Sequence, residues 1–214
     1  QSLEEVKLHG GMNLYNYAFY GCYGIKRIEV GDSFTSIGEN VFENCGSLEE
    51  IILSKQLASL GIRAFENCSN LRSIAIPESL TKIDNLTFDG CSGLTEVSLP
   101  ETLKEIGFRA FYGCSSLRTI NFPSSLTTFG QEAFIYCSSL ETIIIPNKIE
   151  RLPKGVFAYC GKIAEVTLPK SLIGMGDNAF LDCHNINAVY YEGSLQEWIN
   201  LFYHEDGGVG VYGN

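Results

Sequence analysis

The chain has 214 residues, 45% of them hydrophobic and 19% charged, the balance of a packed chain rather than a disordered one. A formal net charge of −10 and a pI near 4.8 argue against nucleic acid, which needs clustered Lys and Arg, and against docking on anionic lipid. No run approaches the roughly 18 apolar residues of a membrane span, so no membrane insertion is expected, and Gln1-Ser2-Leu3-Glu4-Glu5 lacks the basic and apolar regions of a signal peptide.

Taken in order, the chain opens on a degraded copy of a pattern that then repeats. Leu3, Val6 and Leu8 match later strand positions only if one residue is missing before Ala18, and His9-Gly10-Gly11 is where the deletion is placed. From there the eight cysteines, Cys22, Cys45, Cys68, Cys91, Cys114, Cys137, Cys160 and Cys183, recur every 23 residues. A phenylalanine stands three residues before each, from Phe19 to Phe180. A fixed period of this length is the mark of a solenoid.

The shared pattern is L-x-x-I-x-L-P-x-x-L-x-x-I-G-x-x-A-F-x-x-C-x-x, as in Leu94 to Ser116. Alternating pairs such as Ile74 and Ile76 predict a strand with one buried face. The prolines at 77, 100, 123, 146 and 169 cannot donate to a ladder and end that strand. A second short apolar pair follows, then a glycine at 38, 61, 107, 130 or 176, which suits a tight corner. A-F-x-x-C suits one helical or 3₁₀ turn with Ala, Phe and Cys inward. One unit cannot bury its apolar face alone, whereas stacked units form a continuous core.

Equivalent residues of neighbouring coils lie about 4.8 Å apart with parallel Cβ vectors, whereas a disulfide needs Cβ atoms at roughly 3.8 Å. The cysteines are therefore expected as reduced, buried thiols. The last strand holds Ile186, Val189 and Tyr191. Ser194-Leu195-Gln196-Glu197 then forms a capping box, and Leu195, Trp198, Ile199 and Phe202 mark a helix face that would close the end of the core. Residues 1–192 are expected to form one array of about eight repeats, with 193–214 a capping helix and tail of the same domain.

No chemistry-bearing motif appears. The three histidines, His9, His184 and His204, share no ligand spacing, and His204-Glu205-Asp206 and the glycine-rich tail read as solvated. No phosphate loop or nucleophile elbow is present, so no cofactor, metal or catalytic residue is expected. What remains is surface. On a concave sheet, one side chain per strand projects outward: Lys7, Glu29, Ile52, Ala75, Ser98, Asn121, Ile144, Thr167 and Tyr190. Arg72 and Arg118 run beside them. Glu29, Ile52, Arg72, Ser98, Arg118, Asn121, Ile144, Thr167 and Tyr190 are the candidate partner-binding residues, because apolar groups among polar ones on such a face can mark a contact. A second candidate patch is Tyr112, Tyr136 and Tyr159 on the opposite surface, since aromatic clusters are enriched at interfaces.

The pattern resembles the BspA-like, or treponemal-type, leucine-rich repeat from Leu3 to Tyr191, and Val189 to Ser194 followed by Trp198 is similar to that family's C-terminal close. The resemblance implies an α/β solenoid, a right-handed leucine-rich-repeat superhelix with a parallel concave sheet and short turns and extended segments opposite. It also implies a bacterial, extracellular or cell-surface adhesion module, monomeric and without enzymatic activity, whose partners are proteins such as host matrix proteins. A structural stalk within a larger surface protein is the alternative. Asp84 and Pro153 depart from the family's corner glycine, and Gly31 and Ser54 from its proline.

Overall fold

The structure, a computed structural model, describes residues 3–202; the expected tail, with His204-Glu205-Asp206, lies outside the described residues. The chain winds as a parallel β-solenoid with one repeat per coil. The main ladder runs through Glu5–Leu8, Arg27–Val30, Glu50–Ile52, Ser73–Ala75 and Glu96–Ser98, and resumes with Thr142–Ile144, Glu165–Leu168 and Ala188–Tyr191. Val6 and Ile28 to Val166 point from it into the core, which is the alternation the sequence shows. The first coil is indeed one residue short at the expected place. Glu5 pairs with Arg27, 22 residues on, but Asn13 pairs with Ser36, 23 on, so the shortfall lies between Leu8 and Asn13, where Gly10 and Gly11 take φ of 83° and 137°.

A second ladder is built from the two-residue strands of the L-x-x-I-G segment. It falls into three groups: Asn13–Leu14 to Ser59–Leu60, Lys82–Ile83 to Thr128–Phe129, and Arg151–Leu152 with Gly174–Met175. The corner glycines explain the grouping. None has a positive φ; they serve close approach instead. A Cβ on Gly61 or Gly130 would stand 2.4 or 2.3 Å from the carbonyl carbon of the glycine one coil earlier. The ladder is interrupted at the two junctions where this column holds Asp84 and Pro153. Asp84 brings a Cβ. Pro153 also lacks the N–H that Gly130 and Gly176 donate to Ile106 and Leu152, at 2.6 and 2.7 Å.

The A-F-x-x-C segment is a run of tight turns rather than the expected helical or 3₁₀ turn. Two columns of residues sit in the left-handed region, one at Tyr17, Asn40, Arg63, Leu86, Arg109, Glu132, Gly155 and Asn178, the other four residues later from Gly21 to Asp182. A left-handed residue in every fourth position cannot continue a right-handed helix. Alternate amides divide the work: those of Phe65 and Asn67 cross to Thr87 and Asp89 carbonyls of the next coil, while those of Glu66 and Cys68 close turns onto Arg63 and Phe65. Three such crossing bonds join every pair of neighbouring coils from Tyr17 to Leu181.

Beneath these turns lies the spine. The phenylalanines from Phe19 to Phe180 stack with centroids 5.1–5.5 Å apart. All eight cysteines are free thiols. Each Sγ from Cys45 to Cys183 donates to the carbonyl of the phenylalanine of the preceding coil, at 3.0–3.3 Å. Burial pushes the thiols of Cys68, Cys91, Cys114 and Cys160 well up, and those of Cys45 and Cys183 to about 11.

At the C-terminal end, the helix Leu195–Phe202 carries the expected capping box: the Ser194 amide donates to Glu197 Oε2 at 2.7 Å, and the Glu197 amide to Ser194 Oγ at 3.3 Å. Its docking face differs from the expected one. Leu201 is buried and Trp198 packs on the core, whereas Leu195 and Ile199 are exposed. The helix sits on Gly174–Met175 of the second ladder and reaches the last main strand where Trp198 meets Tyr191 at 5.5 Å, while Val189 of that strand is 39% exposed.

Candidate functional site

The main-sheet register places the candidate residues as the period requires. Glu29 pairs with Ile52, Ala75 with Ser98, Ile144 with Thr167, and Thr167 with Tyr190. Their side chains form one column on the outer face, with Arg72 and Arg118 one column across. Ile52, Ile144 and Tyr190 are exposed, as are Arg72, Ser98, Arg118 and Asn121; Glu29 and Thr167 are half-buried.

The two halves of this face differ in charge. In the first coils the charges are compensated by rungs between neighbours: Lys26 with Glu4 at 3.1 Å, Arg27 with Glu50 at 3.2 Å, Arg72 with Glu49 at 3.6 Å, and Lys7 with Glu29 at 3.9 Å. From Glu96 onward the pairing stops. Among the described residues, Glu96, Glu101, Arg118 and Glu141 have no ion-pair partner within 4.0 Å.

The main ladder also breaks here. No backbone hydrogen bond among the described residues joins residues 118–122 to Glu96–Ser98, and a single one, from the Glu141 amide to the Arg118 carbonyl at 3.0 Å, joins them to the coil that follows. In two other coils the residue after the strand donates across, Ile76 to Ser98 and Ile145 to Thr167, both at 2.9 Å, although Leu53 does not. The equivalent bonds from Leu99 and Phe122 are not made. The cause is aromatic bulk. Phe122 and Phe129 stand where other coils carry mainly aliphatic side chains, and their rings meet at 4.9 Å edge to face and press on Phe134. Two extra rings overfill one cross-section, and the strand gives way. Clefts of about 650 Å³ and 520 Å³ flank the displaced segment, sharing Thr119, Asn121 and Phe122. Ser98 and Arg118 line the first and Ile144 the second. Sequence reasoning passed over this break, although Phe122 and Phe129 were its visible signal.

On the turn side the second patch assembles. Tyr136 and Tyr159 stack at 4.6 Å, Tyr112 meets Tyr136 edge-on at 5.5 Å, and the Arg109 guanidinium lies 5.0 Å over Tyr112. Tyr136 and Tyr159 hold φ of 63° and 60°, in a column where other coils place Gly, Asn or Asp. Beside this patch Glu43, Glu66 and Asp89 follow one another in a single column. Burial and then the Glu66 charge raise Asp89 to about 6, against the pull of Arg109 and Arg63.

Among the described residues no group of three or more His, Cys, Asp or Glu is placed to hold a metal ion, and no helix is long and apolar enough to cross a membrane. The buried thiols face carbonyls and no cleft.

A family model described as a BspA type leucine rich repeat region matches residues 1–95 and 81–205, in six copies. The fold is shared with a solved leucine rich repeat protein of T. pallidum, at 26% identity over 88% of this chain and 70% of that one, with a TM-score of 0.51. A leucine-rich repeat protein from Bacteroides ovatus is 23% identical over 88% of this chain and 63% of that one, with a TM-score of 0.60. The pneumococcal vaccine antigen PcpA is 18% identical over 87% and 61%, at 0.52. A comparison with curated proteins finds no match.

Proposed function

The chain belongs to the BspA type leucine-rich repeat family, and from that premise we propose that it is a non-enzymatic recognition module of the bacterial surface or of secreted proteins. It binds protein partners, host matrix proteins among them, on the outer face of the main sheet. The observation that carries this reading is the column from Glu29 to Tyr190, whose members are set by parallel strand pairing on either side of the break at residues 118–122. A surface so preorganised loses little ordering entropy on binding. Its likeness to the pneumococcal vaccine antigen PcpA supports the surface or secreted setting.

The test is a set of alanine substitutions at Ile52, Arg72, Arg118, Asn121 and Ile144, assayed against immobilised matrix proteins. Binding weakened with the melting curve intact supports the reading; binding lost only together with the fold overturns it. A structural stalk is the second reading, favoured by the turn ladder that joins every coil. Under it, those substitutions leave adhesion by the full-length protein unchanged.

A further inference from the structure

We propose that the opening in the main sheet at residues 118–122 is a docking cleft for an extended, basic polypeptide segment, an inference that rests on reading this face as the recognition surface. Three independent features meet there. The first is backbone. Amides and carbonyls that most other coils spend on their neighbours have no backbone partner among the described residues around Thr119, Asn121 and Phe122. Unpaired main-chain groups at a sheet edge are the template on which an extended chain adds its own N–H and C=O groups.

The second is space. Two clefts of about 650 Å³ and 520 Å³ lie on either side of this segment. Phe122 lines both, and the exposed Ile144 borders the second, so alternate side chains of a bound strand would meet apolar contacts. Phe122 also creates the opening, through its contacts with Phe129 and Phe134. One residue thereby makes the gap and lines it.

The third is charge. Glu96, Glu101 and Glu141 line the first cleft with Arg118 as the cation among them, and none of the four has an ion-pair partner within 4.0 Å among the described residues. The first coils neutralise their carboxylates with their own lysines and arginines. Here the carboxylates outnumber the single Arg118, which leaves a place for a partner's cations, and a chain of net charge −10 attracts a basic partner. A neutral oligosaccharide would occupy the hydrogen-bonding groups but leave the carboxylates in excess of Arg118 uncompensated, so the basic polypeptide is favoured.

Hydrogen–deuterium exchange on the intact chain tests this, with a short synthetic peptide of alternating Lys and Thr, its Glu-for-Lys counterpart and maltohexaose as probes. The Lys peptide is expected to slow exchange within residues 118–122, while the Glu peptide and the sugar leave it unchanged. The E96Q/E141Q double variant should weaken the Lys peptide by roughly three- to tenfold at low salt, as expected of exposed ion pairs. Phe122→Ile should close the sheet, slow exchange at 118–122 without any probe, and abolish peptide binding. Protection by the sugar, protection by both peptides alike, or Lys-peptide binding indifferent to E96Q/E141Q would overturn the inference. Loss of matrix-protein binding on the Ile52 and Arg72 substitutions, with no peptide protection at 118–122, would sink this cleft while leaving the proposed function standing.

Discussion

At Gly130 the nearest backbone atoms of the preceding coil, Gly107 C and Phe108 N, lie 2.3 Å from where a Cβ would be. Gly46 offers a contrast, since its nearest neighbour would be Ser69 Oγ at 3.7 Å. Gly130→Ala is therefore expected to cost about 1–3 kcal/mol through overpacking, with Gly46→Ala close to neutral, both read from urea denaturation midpoints. Equal effects at the two sites would refute the role given to the corner column. Asp89 supports a second residue-level prediction. Its folded pKa of about 6 lies above its ordinary 3.8, so the folded state holds the proton more tightly than the unfolded chain. This contribution raises stability as pH falls through about 6 toward 3.8 and leaves it flat above. Glu66, also raised, acts in the same direction, while Arg63 and Arg109 oppose it. Asp89→Asn should be more stable than the parent at pH 7, and the advantage should shrink by pH 4. An advantage independent of pH would rule out the titration of Asp89 as its source.

At the scale of elements, the sequence was most legible where local chemistry decides. The capping box was readable because Ser194 and Glu197 need only each other, and it formed. Ser194→Ala is expected to cost the helix about 1 kcal/mol. The change should appear as an earlier Trp198 fluorescence transition, with the main unfolding step unmoved. The helix face was not readable. Periodicity favoured Leu195 and Ile199, yet Leu201 is the residue buried, because the site of docking on Gly174–Met175 is a tertiary fact. The cysteine column lies between these cases. Its period announced a buried stripe, but that each thiol from Cys45 to Cys183 donates to a phenylalanine carbonyl one coil back depends on the left-handed turns, which no single repeat spells out. This gives a labelling prediction. Cys22 is half-buried and the other cysteines are buried, so native protein should show one fast-alkylating thiol and Cys22→Ser none. Several fast thiols in the native state would contradict the packing described.

Across the whole molecule, the period revealed the register but hid where the register fails. Averaging the repeats makes Phe122, Phe129, Asp84 and Pro153 look like tolerable substitutions, yet each coincides with a break in one of the two ladders on that side. The turn ladder and the phenylalanine stack pass through every one of these coils without interruption. The solenoid is thus held along one side and loosened along the others, and amide exchange should report this asymmetry. Amides that cross between coils under the turns, such as those of Phe88, Phe111 and Phe134, should be the slowest, because they open only when neighbouring coils separate. Those of Thr119 to Phe122 should be among the fastest in the array, although their coil lies well inside it and Ile120 itself is buried. Ile143 and Ile145, one coil later and paired with the strand Glu165–Leu168, should exchange slowly. If residues 119–122 instead match their counterparts at 142–145, the main sheet is continuous in solution. The gap would then close around Phe122, and the surface would be one uniform face rather than two parts with different charge and different free backbone.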